Sequence, residues 1–218
     1  MRLVFIALLG CGSAQPSLPT GAYRVVTVAE DEQLHTRSES CVRVVEERDG
    51  GVVLEEIVLA TETTPDAGLP NLRGTRRRAW RGRWGEVRLT DGTINGRVLS
   101  EVLGVADGKP LLPADFEVGT RWEVVRANGG HSIPVAFRVR EADGETVVFS
   151  GEGSMEVPVP SVGTLRLELR ETRRLSRADL LQGLTTQEVQ IRGALTREIH
   201  LTQEVTRTDA CPDLPPPD

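Results

Sequence analysis

The chain has 218 residues and a formal net charge of −6, which gives length enough for one sizeable core and a single β domain. The acidic balance argues against nucleic acid as a partner, because polyanion binders carry a basic surplus that displaces counterions. No stretch approaches the ~20 consecutive apolar residues that a membrane-spanning helix requires.

The first residues read Met1-Arg2, then an apolar run from Leu3 to Leu9, then Gly10-Cys11. A positive start, an apolar segment and a small residue before a cysteine are the parts of an export signal. Leu8-Leu9-Gly10-Cys11 resembles the lipobox of bacterial lipoproteins. That resemblance implies a diacylglycerol thioether on Cys11, cleavage before it and acylation of the new amino end. Gly12 follows in place of an acidic residue, which implies an anchor in the outer membrane with the domain facing the periplasm. Cleavage after Ala14, giving a soluble exported protein, and a misplaced start are the alternatives. The organisation expected is a signal over 1–10, a flexible tether of small, polar and proline residues over 11–20, one β domain over 21–211 and a loose proline-rich tail over 212–218.

With Cys11 taken by lipid, Cys41 and Cys211 remain as a pair in an oxidising compartment, where bridges persist. A disulfide between them is the expectation, with two free thiols as the alternative.

Along the domain, period-two alternation dominates. At Arg48-Asp49-Gly50 a three-residue loop would pair Val45 with Val53, Val44 with Leu54 and Arg43 with Glu55. The segment 73–84 gathers Arg73, Arg76, Arg77, Arg78, Arg81 and Arg83 beside Trp80 and Trp84. Guanidinium groups among indoles would suit anionic headgroups, acidic glycans or a partner's carboxylates, and an edge strand protected by charge is the simpler account. Turn signals follow at Asp91-Gly92, Asn95-Gly96, Asp107-Gly108 and Asn128-Gly129-Gly130.

The run from Leu112-Pro113 through Val118-Gly119-Thr120-Arg121-Trp122 is similar to the L-P-…-V-G-x-x-W signature of a class of exported bacterial lipoproteins, in which a turn precedes a strand opening with tryptophan. The resemblance implies no catalytic residues. Gly119 would permit the turn, and Trp122 with Val124 would bury the inner face of the next strand.

Around Asp143-Gly144 a three-residue loop, with Gly144 at positive φ, would pair Val139 with Val147 and Phe137 with Phe149. Leu165, Leu167, Leu169 and Leu175 share one parity and Arg166, Glu168, Arg170, Thr172 and Arg174 the other, which predicts a strand with one wet face. Ser176, Asp179 and Gly183 frame one short helical turn. From Val189 to Val205 the apolar residues stay odd across Gly193, which favours one long strand bent there over a three-residue hairpin.

These signals predict an all-β fold: an antiparallel barrel or strongly curved half-barrel with long bent strands and at most one short helix, a β-sandwich being the alternative. His35, His131 and His200 lack metal-ligand spacing, Glu46-Glu47, Glu55-Glu56 and Asp31-Glu32 read as solvated strand edges and cross-strand partners for arginine, and no nucleophile or phosphate-loop motif is present. No metal, cofactor or catalytic residue is therefore expected. The reading is a non-enzymatic envelope lipoprotein that carries an apolar or amphiphilic ligand in its curved sheet. The alternative is a structural or assembly factor that binds another envelope protein.

Overall fold

A computed structural model describes residues 16–66, 72–91, 112–113, 115–128, 131–159, 163–194 and 196–215. Cys11 and the export signal lie outside them, as do Gly92, Asn95-Gly96, Asp107-Gly108 and Gly129-Gly130 of the turn signals. The fold is all-β. Its strands are β1 (Ala22–Glu30), β2 (His35–Arg48), β3 (Gly51–Thr64), β4 (Arg76–Gly82), β5 (Val87–Asp91), β6 (Arg121–Asn128), β7 (His131–Ala142), β8 (Thr146–Val159), β9 (Gly163–Ser176), β10 (Gly183–Arg192) and β11 (Arg197–Thr208).

All eleven belong to one sheet in the order β5-β4-β3-β2-β1-β11-β10-β9-β8-β7-β6. Every ladder is antiparallel. Two meanders, β1–β5 and β6–β11, are joined where β1 pairs β11, so β5 and β6 are the edges among the described residues. The sheet wraps over itself. β4 and β9 stand six strand positions apart, ~29 Å on a flat sheet, yet Arg81 Nη2 of β4 donates to the Leu180 carbonyl just after β9 at 2.7 Å. Trp84, in the β4–β5 turn, also meets Phe116 near the start of the other meander, with ring centroids 6.1 Å apart.

The wrapped face buries two apolar clusters. One gathers Phe116, Val135, Phe137, Val139, Val147, Phe149, Leu175 and Leu180. The other gathers Tyr23, Val25, Val42, Val52, Leu54, Ala79, Leu181 and Val205. Consecutive residues Leu180 and Leu181 enter different clusters, so the β9–β10 turn knits the halves together.

Several registers differ from the sequence expectation, each for a local reason. Arg48 pairs Gly51 across a two-residue turn in which Asp49 and Gly50 both have positive φ, the hairpin geometry that matches strand twist. Val44–Leu54 and Arg43–Glu55 do pair, but Val45 is bulged out and 41% exposed, so Glu46 takes the place opposite Val53. At the β7–β8 turn Ala142 pairs Val147, and a bulge at Arg140 sets Val139 against Phe149 and Phe137 against Gly151. Gly144 is not among the positive-φ residues. The Asp143 carboxylate shapes this turn instead, accepting from the Glu145 and Thr146 amides at 2.8 and 2.7 Å.

The long bent strand across Gly193 is replaced by the β10–β11 hairpin, where Ile191 pairs Arg197 and Val189 pairs Ile199. An odd number of connecting residues preserves parity as well as a continuous strand does, which is why the pattern did not separate them. The short turn expected at 176–183 is present without extending into a helix: the Leu180 amide donates to the Ser176 carbonyl at 2.9 Å, Ser176 Oγ accepts from the Ala178 amide at 3.2 Å, and Leu180 at φ 50° ends it. The part of the expected tether that is described is packed. Pro16 and Pro19 are buried, Leu18 lies against the second cluster, and the Ser17 amide donates to the Ala178 carbonyl at 2.9 Å.

Candidate functional site

The inner face of β8–β11 and β1 can be laid out in rows, since directly paired residues share a face. Thr27, Gln203, Thr185 and Arg173 form one row. Ala29, Leu201, Gln187, Glu171 and Gly151 form the next. Ile199, Val189, Leu169 and Gly153 follow, then Ile191, Leu167 and Met155. Polar rows thus cross the inner face as a belt between most of the packed core and an apolar rim, with Leu169 and Val189 beyond them still packing with the first cluster.

The belt is internally bonded. Arg173 Nε donates to Glu171 Oε1, Gln187 Nε2 donates to Glu171 Oε2 at 3.1 Å, and Gln203 Nε2 donates to Thr27 Oγ1 at 3.2 Å. Glu171, Arg173, Thr185 and Gln203 are all buried. Where the belt row reaches Gly151, the Phe137 ring occupies the space a side chain there would take. Phe137 is stacked by Trp122 at 5.3 Å, and both meet Phe149 edge-on. The turn before β6 has Gly119 at φ 97°, and Val124 is buried while Trp122 packs partly buried against the first cluster, as the residue types at those three positions led one to expect. In the rim Leu165, Leu167, Met155, Val189, Ile191, Ile199 and Leu201 are each only half-buried.

The opposite face is charged. Along β9–β11 it presents Arg166, Arg170, Arg174, Glu188, Glu198 and Glu204, with ion pairs such as Arg170–Glu188 at 3.7 Å. Lipid-facing barrel strands carry an apolar band there instead. Among the described residues no helix is long and apolar enough to cross a membrane.

The arginine-rich segment does not form one patch, because strand alternation divides it between faces. Arg77 and Arg81 point inward and are each 4% exposed. Arg76 and Arg78 point outward onto Glu55, and Trp80 Nε1 donates to the Arg48 carbonyl at 3.1 Å. Arg73 precedes β4, while Arg83 and Trp84 lie in the β4–β5 turn, Trp84 packing against the first cluster. Glu55 and Glu56 likewise separate. Glu56 Oε1 accepts from Ser40 Oγ at 2.6 Å while its Oε2 has no hydrogen-bond partner. Burial pushes its pKa up against the opposing effects of Ser40 and Arg77.

Glu55 is the centre of the outer face of β2–β4. Its side chain is 2% exposed and takes Arg43 at 2.7 Å, Arg78 at 2.8 Å and Arg76 at 3.4 Å. The C-terminal stretch lies over this cluster: Arg76 Nη2 donates to the Leu214 carbonyl at 2.9 Å, and Arg43 approaches Asp213 at 3.7 Å. Asp213 and Leu214 of the tail thus meet the sheet through Arg43 and Arg76. Cys41 and Cys211 are brought to disulfide distance, Cα atoms 5.6 Å apart.

Burial acts to raise the Glu55 carboxyl, but the bonds from Arg78 and Arg43 outweigh it and hold its pKa below the usual 4.5. A carboxylate depressed in the folded state stabilises above its unfolded pKa, and that contribution fades as pH falls through the folded value. Glu55→Gln is expected to cost about 2 kcal/mol at pH 7, reduced from a fully buried pair because the arginines reach solvent. Urea unfolding at pH 7 and pH 3 measures this, and the difference from wild type shrinks at the lower pH.

His200 Nε2 lies 3.0 Å from Glu198 Oε1 and His35 lies 4.0 Å from Glu30, both exposed; the His131 side chain is outside the described residues. Among the described residues no three His, Cys, Asp or Glu side chains converge as metal ligands. The belt was missed in sequence, although a signal exists: Glu171, Arg173, Thr185, Gln187 and Gln203 interrupt the odd, otherwise apolar parity of their strands.

No protein-family model matches the chain, and no curated protein matches it. Among solved structures, the chain has a slight likeness to the crystal structure of an outer membrane channel from Pseudomonas putida F1. That likeness has 12% identity and a TM-score of 0.22, over 89% of this chain and 98% of the other. Superposition this poor carries nothing about fold or function.

Proposed function

We propose that the protein is a non-enzymatic cell-envelope lipoprotein, exported and anchored through Cys11 in the outer membrane facing the periplasm, that carries an amphiphilic ligand. The half-buried apolar rim carries this reading. Below the belt the inner face is filled by protein, whereas Leu165, Leu167, Val189, Ile191, Ile199 and Leu201 keep apolar surface uncovered. Full burial of an exposed side chain of this kind gains ~1.5–3 kcal/mol, and covering what these half-buried residues still expose gains a fraction of that at each. An acyl chain would cover the rim, and its polar end would meet Gln187 and Glu171 at the belt.

Protein purified from its own membranes tests this, by lipid extraction and native mass spectrometry. A reproducible lipid adduct in the wild type, lost in Leu167→Glu/Ile191→Glu, is the expected result. A lipid-free wild type bound to a stoichiometric protein partner would replace the carrier with the assembly factor, for which β5 and β6, the edges of the sheet among the described residues, offer strand-addition sites.

A further inference from the structure

Residues 16–20 are docked on the fold. Pro16 and Pro19 are buried and Leu18 packs against the second cluster. The Ser17 amide donates to the Ala178 carbonyl at 2.9 Å. Thr20 is held as well, its amide donating to Tyr23 Oη at 3.3 Å and its Oγ1 accepting from Arg207 Nη2 at 2.9 Å. Only Gly12, Ser13, Ala14 and Gln15 separate Pro16 from Cys11, and a stretch of that length spans at most ~18 Å when fully extended.

The registers give the sheet two distinct ends. At one, Arg48 pairs Gly51, Ala142 pairs Val147, Thr146 pairs Ser176 and Gly183 pairs Leu175. Ala178 lies in the β9–β10 turn at that end, so Pro16 emerges there. At the other end Glu30 pairs His35 and Ile191 pairs Arg197. The half-buried rim belongs to this second end, since nine positions of β9 separate Leu167 from Ser176, ~30 Å at the rise of a strand. The tether is too short to carry Cys11 to the rim.

Lying flat on a bilayer is opposed by charge. The outer face along β9–β11 is ion-paired, as in Arg166–Glu168 at 2.9 Å and Arg170–Glu188 at 3.7 Å, and these groups would lose water against lipid. The chain's net charge of −6 also sets it against an anionic surface.

We infer that the end of the sheet bearing the β7–β8 and β9–β10 turns rests on the bilayer that holds Cys11, and that the apolar rim opens away from it. This orientation rests on the Cys11 anchor proposed above and not on the ligand. A ligand at the rim then exchanges across the aqueous side rather than with the anchoring bilayer.

Mature lipoprotein in phosphatidylcholine–phosphatidylglycerol vesicles tests it. Placing p-azidophenylalanine singly at Gly144, Gln33 or Thr196 and coupling it to a dye leaves the cysteines untouched. Gly144 is exposed in the β7–β8 turn, while Gln33 and Thr196 are exposed in turns at the far end. Nitroxide-headgroup lipid is expected to quench the dye at Gly144 and to leave those at Gln33 and Thr196 at their vesicle-free intensity. Equal quenching at near and far sites, or quenching confined to the far ones, overturns the orientation while the anchor stands. Lengthening the tether by about twenty Gly and Ser residues after Gly12 should lower the Gly144 quenching toward the far-site level; quenching that persists at full strength overturns the tether as its cause. Mature protein without a diacylglycerol mass on Cys11 removes the anchor and this inference together.

Discussion

Replacing Cys41 and Cys211 together by serine is expected to cost about 5 kcal/mol of stability if the bridge forms in the native protein. The crosslink spans 170 residues, and restricting so long a loop in the unfolded chain gives that figure in the chain-entropy model. The structural effect should be local. Without its tether, the segment holding Asp213 and Leu214 retains only an ion pair and a single hydrogen bond to the sheet. Urea unfolding with and without reductant measures the first effect, and limited proteolysis of the tail the second. Equal stability of reduced and unreduced wild-type protein would remove the bridge from the account.

Gly183→Ala should be the most damaging single methyl in the β9–β10 region. Gly183 opens β10 at φ 154°, and an added Cβ would collide with the Arg174 carbonyl oxygen and press on the Leu175 backbone. Backbone cannot swing aside as a side-chain tip can, so a cost of about 3 kcal/mol or more is expected from overpacking and strain. The turn that ends there places Leu180 and Leu181 in the two clusters, so the damage should reach both halves. Thermal unfolding of the variant beside Gly144→Ala, where an added Cβ meets nothing, provides the comparison. Similar Tm values for the two would contradict the packing described around Gly183.

The all-β class, the antiparallel meander and the wet and dry faces were legible in the sequence because a two-residue period reports directly on burial. Leu169 and Leu175 are buried and Arg170, Thr172 and Arg174 exposed, as the parity of β9 predicts. Registers were less legible. A bulge such as that at Val45 or Arg140 adds one residue without altering composition, so counting from a turn gives correct pairs on one side of it and false ones on the other.

The arginine segment failed as a patch for a related reason. Six arginines within twelve positions look like a single charge cluster in sequence, but successive strand residues face opposite ways. Arg77 and Arg81 went inside and Arg76 and Arg78 outside. The belt was hidden by the opposite error, because Glu171 and Arg173 were absorbed into a face whose neighbours are leucines. A charged residue on the apolar parity of a long strand is the feature to seek.

The ladder between β1 and β11 matches Ala22 with Thr208 and Glu30 with His200. Each meander can zip locally from its own hairpins, but this central ladder forms only when β1 and β11, distant in sequence, meet. Its closure is therefore the slow, non-local step of assembly, and a chain truncated before residue 197 would display two half-sheets, each with an open border where that ladder would form.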